Sequence, residues 1–519
     1  MRILTAEEVR ELDRVAIEEL GVPGMLLMEH AASAVAEAVL RHAVESKERG
    51  AALVEAIVVA GGGNNGGDGY AAARLLLAAG IPTRLLAVLP PSSLAGDAAA
   101  NAEILRRFGG LIEDFDPKAL AAAGPCHVIV DALLGTGLSR RPEGSFEAAI
   151  LAMNDASSRG ATVIAVDLPS GLDADSGSGP GAVVRADRTV TFGALKPGLV
   201  IEPGASLAGE VEVAPISWPP AAEERFEPAL RLLQEGSIRS LLHSRPSDSH
   251  KGSFGHCLVL AGSEGKSGAA ALAARGALRG GAGLVSVVTR RGVVPEVLRH
   301  AMEVMAIPLA GDGPLSLVDL DPLIEAAKGK GAVLMGPGIP RGNETGALLG
   351  RLLASLEPGC PAVLDADALN ALEGQTSLLT EAAAPVVITP HPGEMARLMG
   401  TTISEIQADR LGAARSFAKA HRCTVVLKGA GTVVADPDGE AAICPTGNPG
   451  MSTAGSGDVL GGLLTALLAQ GLGPAAAARA AVYVHGLAGD LQAARRGQAG
   501  LVASDLLEGI TEVWQRWEL

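Results

Sequence analysis

Ten short apolar runs, each ending at a polar or glycine-containing turn, set the first limit on how this chain can fold. Four lie in the first half: Ala56-Ile57-Val58-Val59-Ala60, Thr83 to Leu89, Val128-Ile129-Val130-Asp131 and Val163-Ile164-Ala165-Val166-Asp167. Six lie in the second: Cys257 to Ala261, Leu284 to Val288, Ala332 to Met335, Ala362 to Asp365, Val386 to Thr389 and Val425 to Lys428. Their apolar residues are continuous rather than alternating, as in strands buried on both faces of a parallel sheet. Helix-like stretches separate them, such as Gly69 to Ala79. The alternation predicts α/β architecture. Open sheets of this kind bind ligands beyond the carboxyl ends of their strands, so the strand-end residues are the ones to read.

Residues Trp218 to Ala229 carry three prolines and a charge cluster. Proline suits neither a helix interior nor a sheet ladder, so this stretch reads as a connector. We expect two α/β domains, over residues 1–217 and 236–519, joined by a linker over 218–235. Only 2% of residues are aromatic, so the cores must be aliphatic. The net charge of −16 argues against a protein that coats a nucleic acid. It leaves room for a small anion held by a few backbone N–H groups. The five cysteines are scattered and form no C-x-x-C, which gives no support to a zinc site or a disulfide framework. The longest uncharged run, Val459 to Ala478, is interrupted at Gly471-Leu472-Gly473-Pro474, and reads as two buried helices rather than a membrane span. A cytoplasmic protein is the expectation, with no membrane partner and no leader segment at Met1.

In the first half, the strand ending at Ala60 runs into Gly61-Gly62-Gly63-Asn64-Asn65-Gly66-Gly67-Asp68-Gly69. Glycine permits close approach of a ligand, and successive N–H groups before a helix form an anion nest. A glycine-rich turn that only closes a βα unit is the plain alternative. Two further strand ends favour a site. Asp131 leads into Gly135-Thr136-Gly137-Leu138-Ser139-Arg140-Arg141, and Asp167 into Leu168-Pro169-Ser170-Gly171. Asn65, Asp131 and Ser170 can offer oxygen ligands to a monovalent cation, leaving Asp167 for acid–base work.

In the second half, Gly455-Ser456-Gly457-Asp458 precedes an apolar helix. Its N–H groups can face a transferring phosphoryl group, and Asp458 can accept a hydroxyl proton. An ordinary glycine-rich helix cap is the competing reading. Lys428-Gly429-Ala430-Gly431-Thr432, Gly336-Pro337-Gly338 and Thr389-Pro390-His391-Pro392-Gly393-Glu394 each follow a strand. His391 is fixed by flanking prolines and reads as a ligand contact. Asp365 and Asp367 add carboxylates that could serve Mg2+ through water or simply cap a helix.

These motifs carry two resemblances. Asn64-Asn65-Gly66-Gly67-Asp68, Gly135-Thr136-Gly137-Leu138, Asp167-Leu168-Pro169-Ser170-Gly171 and Lys196-Pro197-Gly198 resemble the Rossmann-like NAD(P)H-hydrate epimerase domain. That likeness implies that residues Asn64 to Asp68, Gly135 to Arg141 and Asp167 hold the hydrated dinucleotide. It also implies that Asn65, Asp131 and Ser170 bind K+. Met28-Glu29-His30-Ala31-Ala32 departs from the family's usual Met-Glu-Asn-Ala-Gly, and reads as a packing change. Lys196 receives no role. The set His250-Lys251-Gly252, Gly336-Pro337-Gly338, Asp365 to Asn370, His391 to Glu394 and Gly455 to Asp458 resembles the ribokinase-like ADP/ATP-dependent NAD(P)H-hydrate dehydratases. It implies that Ala269, Gly338, His391 and Asp458 contact the hydrate. Lys428, Gly429, Ala430, Gly431, Thr432 and Gly457 would contact ADP or ATP, with Mg2+.

Together the two halves predict nicotinamide nucleotide repair. One half would interconvert the C6 epimers of hydrated NADH or NADPH, with Asp167 moving the proton. The other would dehydrate one epimer, with Asp458 as base. A homo-oligomer is expected. A ribokinase-type small-molecule kinase would share Gly455–Asp458, and a non-catalytic nucleotide sensor would keep the glycine loops.

Overall fold

A computed structural model describes residues 1–48, 54–138, 140–226 and 229–519. Contacts divide the chain into two compact units, Arg2–Pro228 and Ala229–Leu519, with Met1 counted in the second.

The first unit holds seven strands: β1 Glu55–Ala60, β2 Thr83–Ala87, β3 Ile112–Asp114, β4 His127–Ala132, β5 Thr162–Val166, β6 Arg188–Phe192 and β7 Glu210–Ala214. Their order is β3-β2-β1-β4-β5-β6-β7 and every pairing is parallel. Alternate residues of β1 enter two different cores: Ala56, Val58 and Ala60 pack on one side, Ile57 and Val59 on the other. Helices therefore cover both faces, which is the Rossmann-like sandwich that the continuous apolar runs call for. The strand order reverses between β1 and β4. The crevice at that point lies beyond Ala60 and Ala132, so it receives the Gly61–Asp68 and Asp131–Gly135 segments.

The second unit holds β8 Leu230–Leu232, β9 His256–Leu260, β10 Leu284–Arg290, β11 Met305–Leu309, β12 Ala332–Met335, β13 Ala362–Leu364, β14 Val386–Ile388, β15 Thr424–Leu427, β16 Thr432–Ala435 and β17 Ala441–Cys444. They form one sheet in the order β11-β10-β9-β12-β13-β14-β15-β16-β17-β8. Its reversal falls between β9 and β12, beyond which lie the Gly262 and Gly336–Gly338 loops. The sheet is not wholly parallel: β16 runs antiparallel to both β15 and β17. The Asp436-Pro437-Asp438-Gly439 turn closes that hairpin, with Gly439 at φ 99°.

Two expectations need correction. Helix Asn64–Ala78 starts at Asn64, not at Gly69. Its glycines are there for contact: a Cβ at Gly66 would overlap the Gly61 carbonyl oxygen, and one at Gly61 the Leu133 carbonyl. The 218–235 stretch is not a free connector. Trp218 and Ala222 are buried in the first core, and Leu230–Leu232 pairs with β17. The apolar run 459–478 is split as expected, into helices Ser456–Ala469 and Pro474–Arg496. Among the described residues, no helix is long and apolar enough to cross a membrane.

Candidate active sites

In the first unit, the sequence-predicted residues converge on the ends of β1, β4 and β5. Asn64, Asn65, Gly66, Gly67 and Asp68 form the opening turns of a helix that no side chain caps. A Cβ on Gly135 would lie 3.2 Å from Asn65 Oδ1, so the second loop rests directly on the first. Thr136, Gly137 and Leu138 continue that turn. Ser139 lies outside the described residues. Arg140 is exposed, and Arg141 pairs with Glu147 at 3.3 Å.

Asp131 is fully buried. Its Oδ1 accepts from Ser170 Oγ at 2.5 Å, and its Oδ2 accepts from the Ser170 N–H at 2.7 Å. Burial pushes its carboxyl up to about 6, against the pull of these hydrogen bonds. Asn65 contributes a buried amide whose Nδ2 has no protein partner. One carboxylate among neutral oxygens, with no cysteine or histidine, is a donor set for a hard cation of low charge.

Asp167 sits at φ 63°, a left-handed conformation that is costly for a non-glycine residue. Its Oδ1 accepts from Lys196 Nζ at 2.5 Å and from Thr191 Oγ1 at 3.0 Å. Lys196 also donates to Thr191 Oγ1 at 2.9 Å and to the Phe192 carbonyl at 3.0 Å, and is 1% exposed. All three ammonium protons are therefore engaged. Asp167 is thus held to a buried cation. Asp68 and Asp13 stand close by. Burial, then the charges of Asp167 and Asp13, hold the Asp68 carboxyl well above the usual range. Burial also raises Asp13, which accepts from Trp218 Nε1 at 2.8 Å. Three carboxyls around one ammonium favour keeping at least one proton in the cluster.

In the second unit, helix Ser456–Ala469 begins at Gly455, φ 90°, with no side-chain cap. That left-handed conformation requires glycine there, and a Cβ would also press on Leu272 Cδ1 at 2.5 Å. Asp458, in the first turn, has its carboxyl pushed up to about 7. Burial is the main cause, Asp365 and Asp367 add to it, and Lys428 opposes. Lys428 Nζ donates to Asp365 Oδ1 at 2.7 Å and lies 3.9 Å from Glu394. Burial pulls the Lys428 ammonium down, but Asp365 and Glu394 outweigh it and the net direction is up. A Cβ on Gly457 would stand 3.3 Å from Lys428 Nζ, which brings these two predicted residues together.

Gly429, Ala430, Gly431 and Thr432 form a tight loop. Thr432 Oγ1 donates to the Gly429 carbonyl at 2.9 Å, and Arg410 donates to the Ala430 and Leu427 carbonyls. Arg410 is twenty residues upstream of Ala430, and no local motif signals it. His391 caps helix Pro392–Met399. Its Nδ1 accepts from the Gly393 N–H at 3.0 Å and the Glu394 N–H at 3.3 Å. Burial lowers its pKa. The ring is thus held neutral, with Nε2 as its remaining polar atom, 3.5 Å from Glu394 Oε1. A Cβ on Gly338 would lie 3.2 Å from Ala269 Cβ, so these two residues also meet. Sequence reasoning missed the Lys196 and Arg410 clamps; Lys196-Pro197-Gly198 after a strand was the one available signal.

Two α/β units, each gathering titratable groups beyond the carboxyl ends of its strands, have the architecture of nucleotide-handling enzymes. Comparison with known proteins sharpens this. Residues 257–512 match the sequence family described as NAD(P)H-hydrate dehydratase, and residues 25–198 match the YjeF-related protein N-terminus. The bifunctional NAD(P)H-hydrate repair enzyme Nnr of Moorella thermoacetica is 43% identical over 100% of this chain and 97% of its own. A solved ADP/ATP-dependent NAD(P)H-hydrate dehydratase from Bacillus subtilis, co-crystallised with ATP and Mg2+, is 32% identical, with a TM-score of 0.49 over 55% of this chain and 98% of its own. A ribokinase-like superfamily protein from Enterococcus faecalis matches with a TM-score of 0.50 at 24% identity, over 56% of this chain and 98% of its own, and places the second unit in that fold. The chain belongs to the bifunctional NAD(P)H-hydrate repair enzymes.

Proposed function

We propose that the first unit interconverts the C6 epimers of hydrated NADH and NADPH, and that the second dehydrates the S epimer at the expense of ADP or ATP. The observation that carries this reading is Asp458: a half-buried carboxyl poised near neutral pH, in the first turn of an uncapped helix beside Lys428. A base with its pKa near working pH is suited to taking a hydroxyl proton. Asp458 accepts the proton of the C6 hydroxyl as that oxygen attacks the terminal phosphoryl group. The helix N–H groups and Lys428 stabilise the charge on the transferring group. The ring nitrogen lone pair then expels inorganic phosphate from C6, and loss of the C5 proton restores the dihydronicotinamide. Ala269, Gly338 and His391 line the hydrate side; Gly429 to Thr432 and Gly457 line the nucleotide side. Asp365, whose Oδ2 faces Gly457, would hold Mg2+ that enters with the nucleotide, where the metal neutralises phosphate charge.

In the first unit Asp167 is the proton-moving group, with Asn64–Asp68 and Gly135–Arg141 around the hydrate. Asn65, Asp131 and Ser170 would hold K+, whose charge offsets the buried Asp131 carboxylate. We assign epimerisation to residues 2–228 and dehydration to residues 229–519, in a cytoplasmic homo-oligomer. The test is the absorbance at 340 nm of an NADPH-hydrate mixture incubated with the chain, with and without ADP. ADP-dependent recovery with release of phosphate supports the reading. Phosphorylated hydrate without free phosphate would make the second unit a kinase.

A further inference from the structure

Beside the Ala269–Gly338 contact stands a pair of cations to which neither the motifs nor the comparisons give a role. Lys266 immediately precedes helix Ser267–Arg279, which no side chain caps. Its Nζ donates to Asp367 Oδ2 at 3.0 Å. Arg341, three residues past Gly338, brings its Nε to 2.9 Å from Asp367 Oδ1. One carboxylate, 13% exposed, therefore holds both cations, whose side chains are 54% and 48% exposed. The two loops that carry them are fastened together. Ser263 Oγ donates to the Gly338 carbonyl at 2.7 Å, and a Cβ on Gly338 would touch Lys266 Cβ at 3.0 Å. The Arg341 loop is braced in turn, since the Leu315 N–H donates to the Pro340 carbonyl at 3.0 Å.

An exposed lysine–arginine pair fixed by one buried carboxylate keeps most of its donors for something else. Lysine has three N–H groups and arginine five, and the contacts to Asp367 use one nitrogen of each cation. The two cations stand on a chain of net charge −16, with Asp367 between them and Glu264 exposed on the Lys266 loop, so their value to a ligand lies in fixed donors rather than in net local charge. The start of helix Ser267–Arg279, which no side chain caps, places a partial positive charge beside the pair. Asp367 also ties the pair to the reaction centre, because its charge contributes to the rise of Asp458. On the nucleotide side, Lys428 stands instead with Asp365, Glu394 and Gly457.

We propose that Lys266 and Arg341 form a phosphate subsite for the hydrated dinucleotide, set beside Ala269 and Gly338 and distinct from the Lys428 nucleotide side. This rests on the dehydratase reading of the second unit. The ligand group is a phosphate carried by the hydrate, either the pyrophosphate common to both forms or the 2′-phosphate of the NADPH form alone. Arginine matches phosphate oxygens in pairs and lysine serves as a point charge, a division of labour that suits either group.

The experiment measures steady-state dehydration of NADH hydrate and NADPH hydrate by the full chain, for Lys266→Ala, Arg341→Ala, the double variant and Arg341→Lys. Each charge-assisted contact is worth about a tenfold change in affinity. The double variant should therefore raise the hydrate KM at least about tenfold, with kcat and the ADP KM close to wild type. A rise for both hydrates identifies the pyrophosphate; a rise for NADPH hydrate alone identifies the 2′-phosphate. Arg341→Lys should recover part of the loss. Unchanged KM for both hydrates overturns the proposal, and so does a rise confined to the ADP KM. Calorimetric titration of NADP+ into the wild-type and double-variant chains gives a second readout. If the wild type turns over no hydrate, the functional reading fails, and the phosphate subsite stands or falls on whether the double variant loses NADP+ affinity.

Discussion

Asp458→Asn should make the second unit more stable while abolishing its chemistry. The rise of the Asp458 carboxyl from the ordinary 3.8 to about 7 means that burial and its acidic neighbours disfavour the charged form. At 1.36 kcal/mol per unit of pH, the penalty for ionising it in the folded chain reaches on the order of 4 kcal/mol as a ceiling. The sign follows from proton binding. Below about pH 4, folded and unfolded chains both hold the proton, and nothing is lost. Between about pH 4 and 7 the unfolded chain releases its proton while the folded chain keeps it, so stability falls as pH rises. Above about pH 7 both are ionised and the full penalty is present. Asparagine is neutral throughout, so the variant's advantage should be absent at pH 4 and complete above about pH 8. One kcal/mol shifts the melting temperature of a unit this size by about 2–4 °C, so a gain of several degrees is expected at pH 8. Thermal melts of both proteins at pH 4.5, 6 and 8 measure it, with the transition that ADP raises assigned to the second unit. A melting difference that does not change with pH, or an asparagine variant less stable at pH 8, would refute the electrostatic reasoning. The same carboxyl should give wild-type dehydration a rate that climbs with pH through a midpoint near 7, and the asparagine variant should lose about 10²–10⁴ in rate.

Lys196→Met should destabilise the first unit by about 3–5 kcal/mol, because it leaves the Asp167 carboxylate buried without its cation; chemical denaturation reads this, and epimerase activity should fall with it. Asp167→Ala should stop epimerisation but not ADP-dependent dehydration, so that early-time chiral chromatography shows one hydrate epimer consumed and the other persisting. Disappearance of both at the wild-type rate would make Asp167 structural. A fragment ending at residue 217 should be less stable than one ending at residue 226, because Trp218 is buried against Gly193 and bonded to Asp13. Equal near-UV circular dichroism and equal melting of the two fragments would show that Trp218 contributes nothing.

What could be read from the residues alone were features written in consecutive positions. The ten apolar runs all became strands, because a strand buried on both faces needs no partner to be recognised. The ends of those strands led to Asp131, Asp167 and Asp365, since an open α/β sheet places its ligand at those ends whatever its sequence, and the Gly455-Ser456-Gly457 turn before an apolar helix led to Asp458. Edge strands were harder. Glu210–Ala214 alternates charged and apolar residues and Ile112–Asp114 is short, so neither stands out from a loop.

The Gly63–Gly69 segment shows the opposite failure. Glycine disfavours a helix by itself, and only the close approach of the Gly61 carbonyl and Ala132 makes a glycine-rich helix start the better fit. Local sequence therefore determined which strands exist and which chemistry lies at their ends. Tertiary structure alone decided how those groups are charged. Lys196 meets Asp167 across 29 residues, Lys428 meets Asp365 across 63, and Lys266 meets Asp367 across 101. A carboxyl's pKa depends on its desolvation and on the charges around it, and no stretch of sequence contains either until the sheet has brought distant loops to one edge.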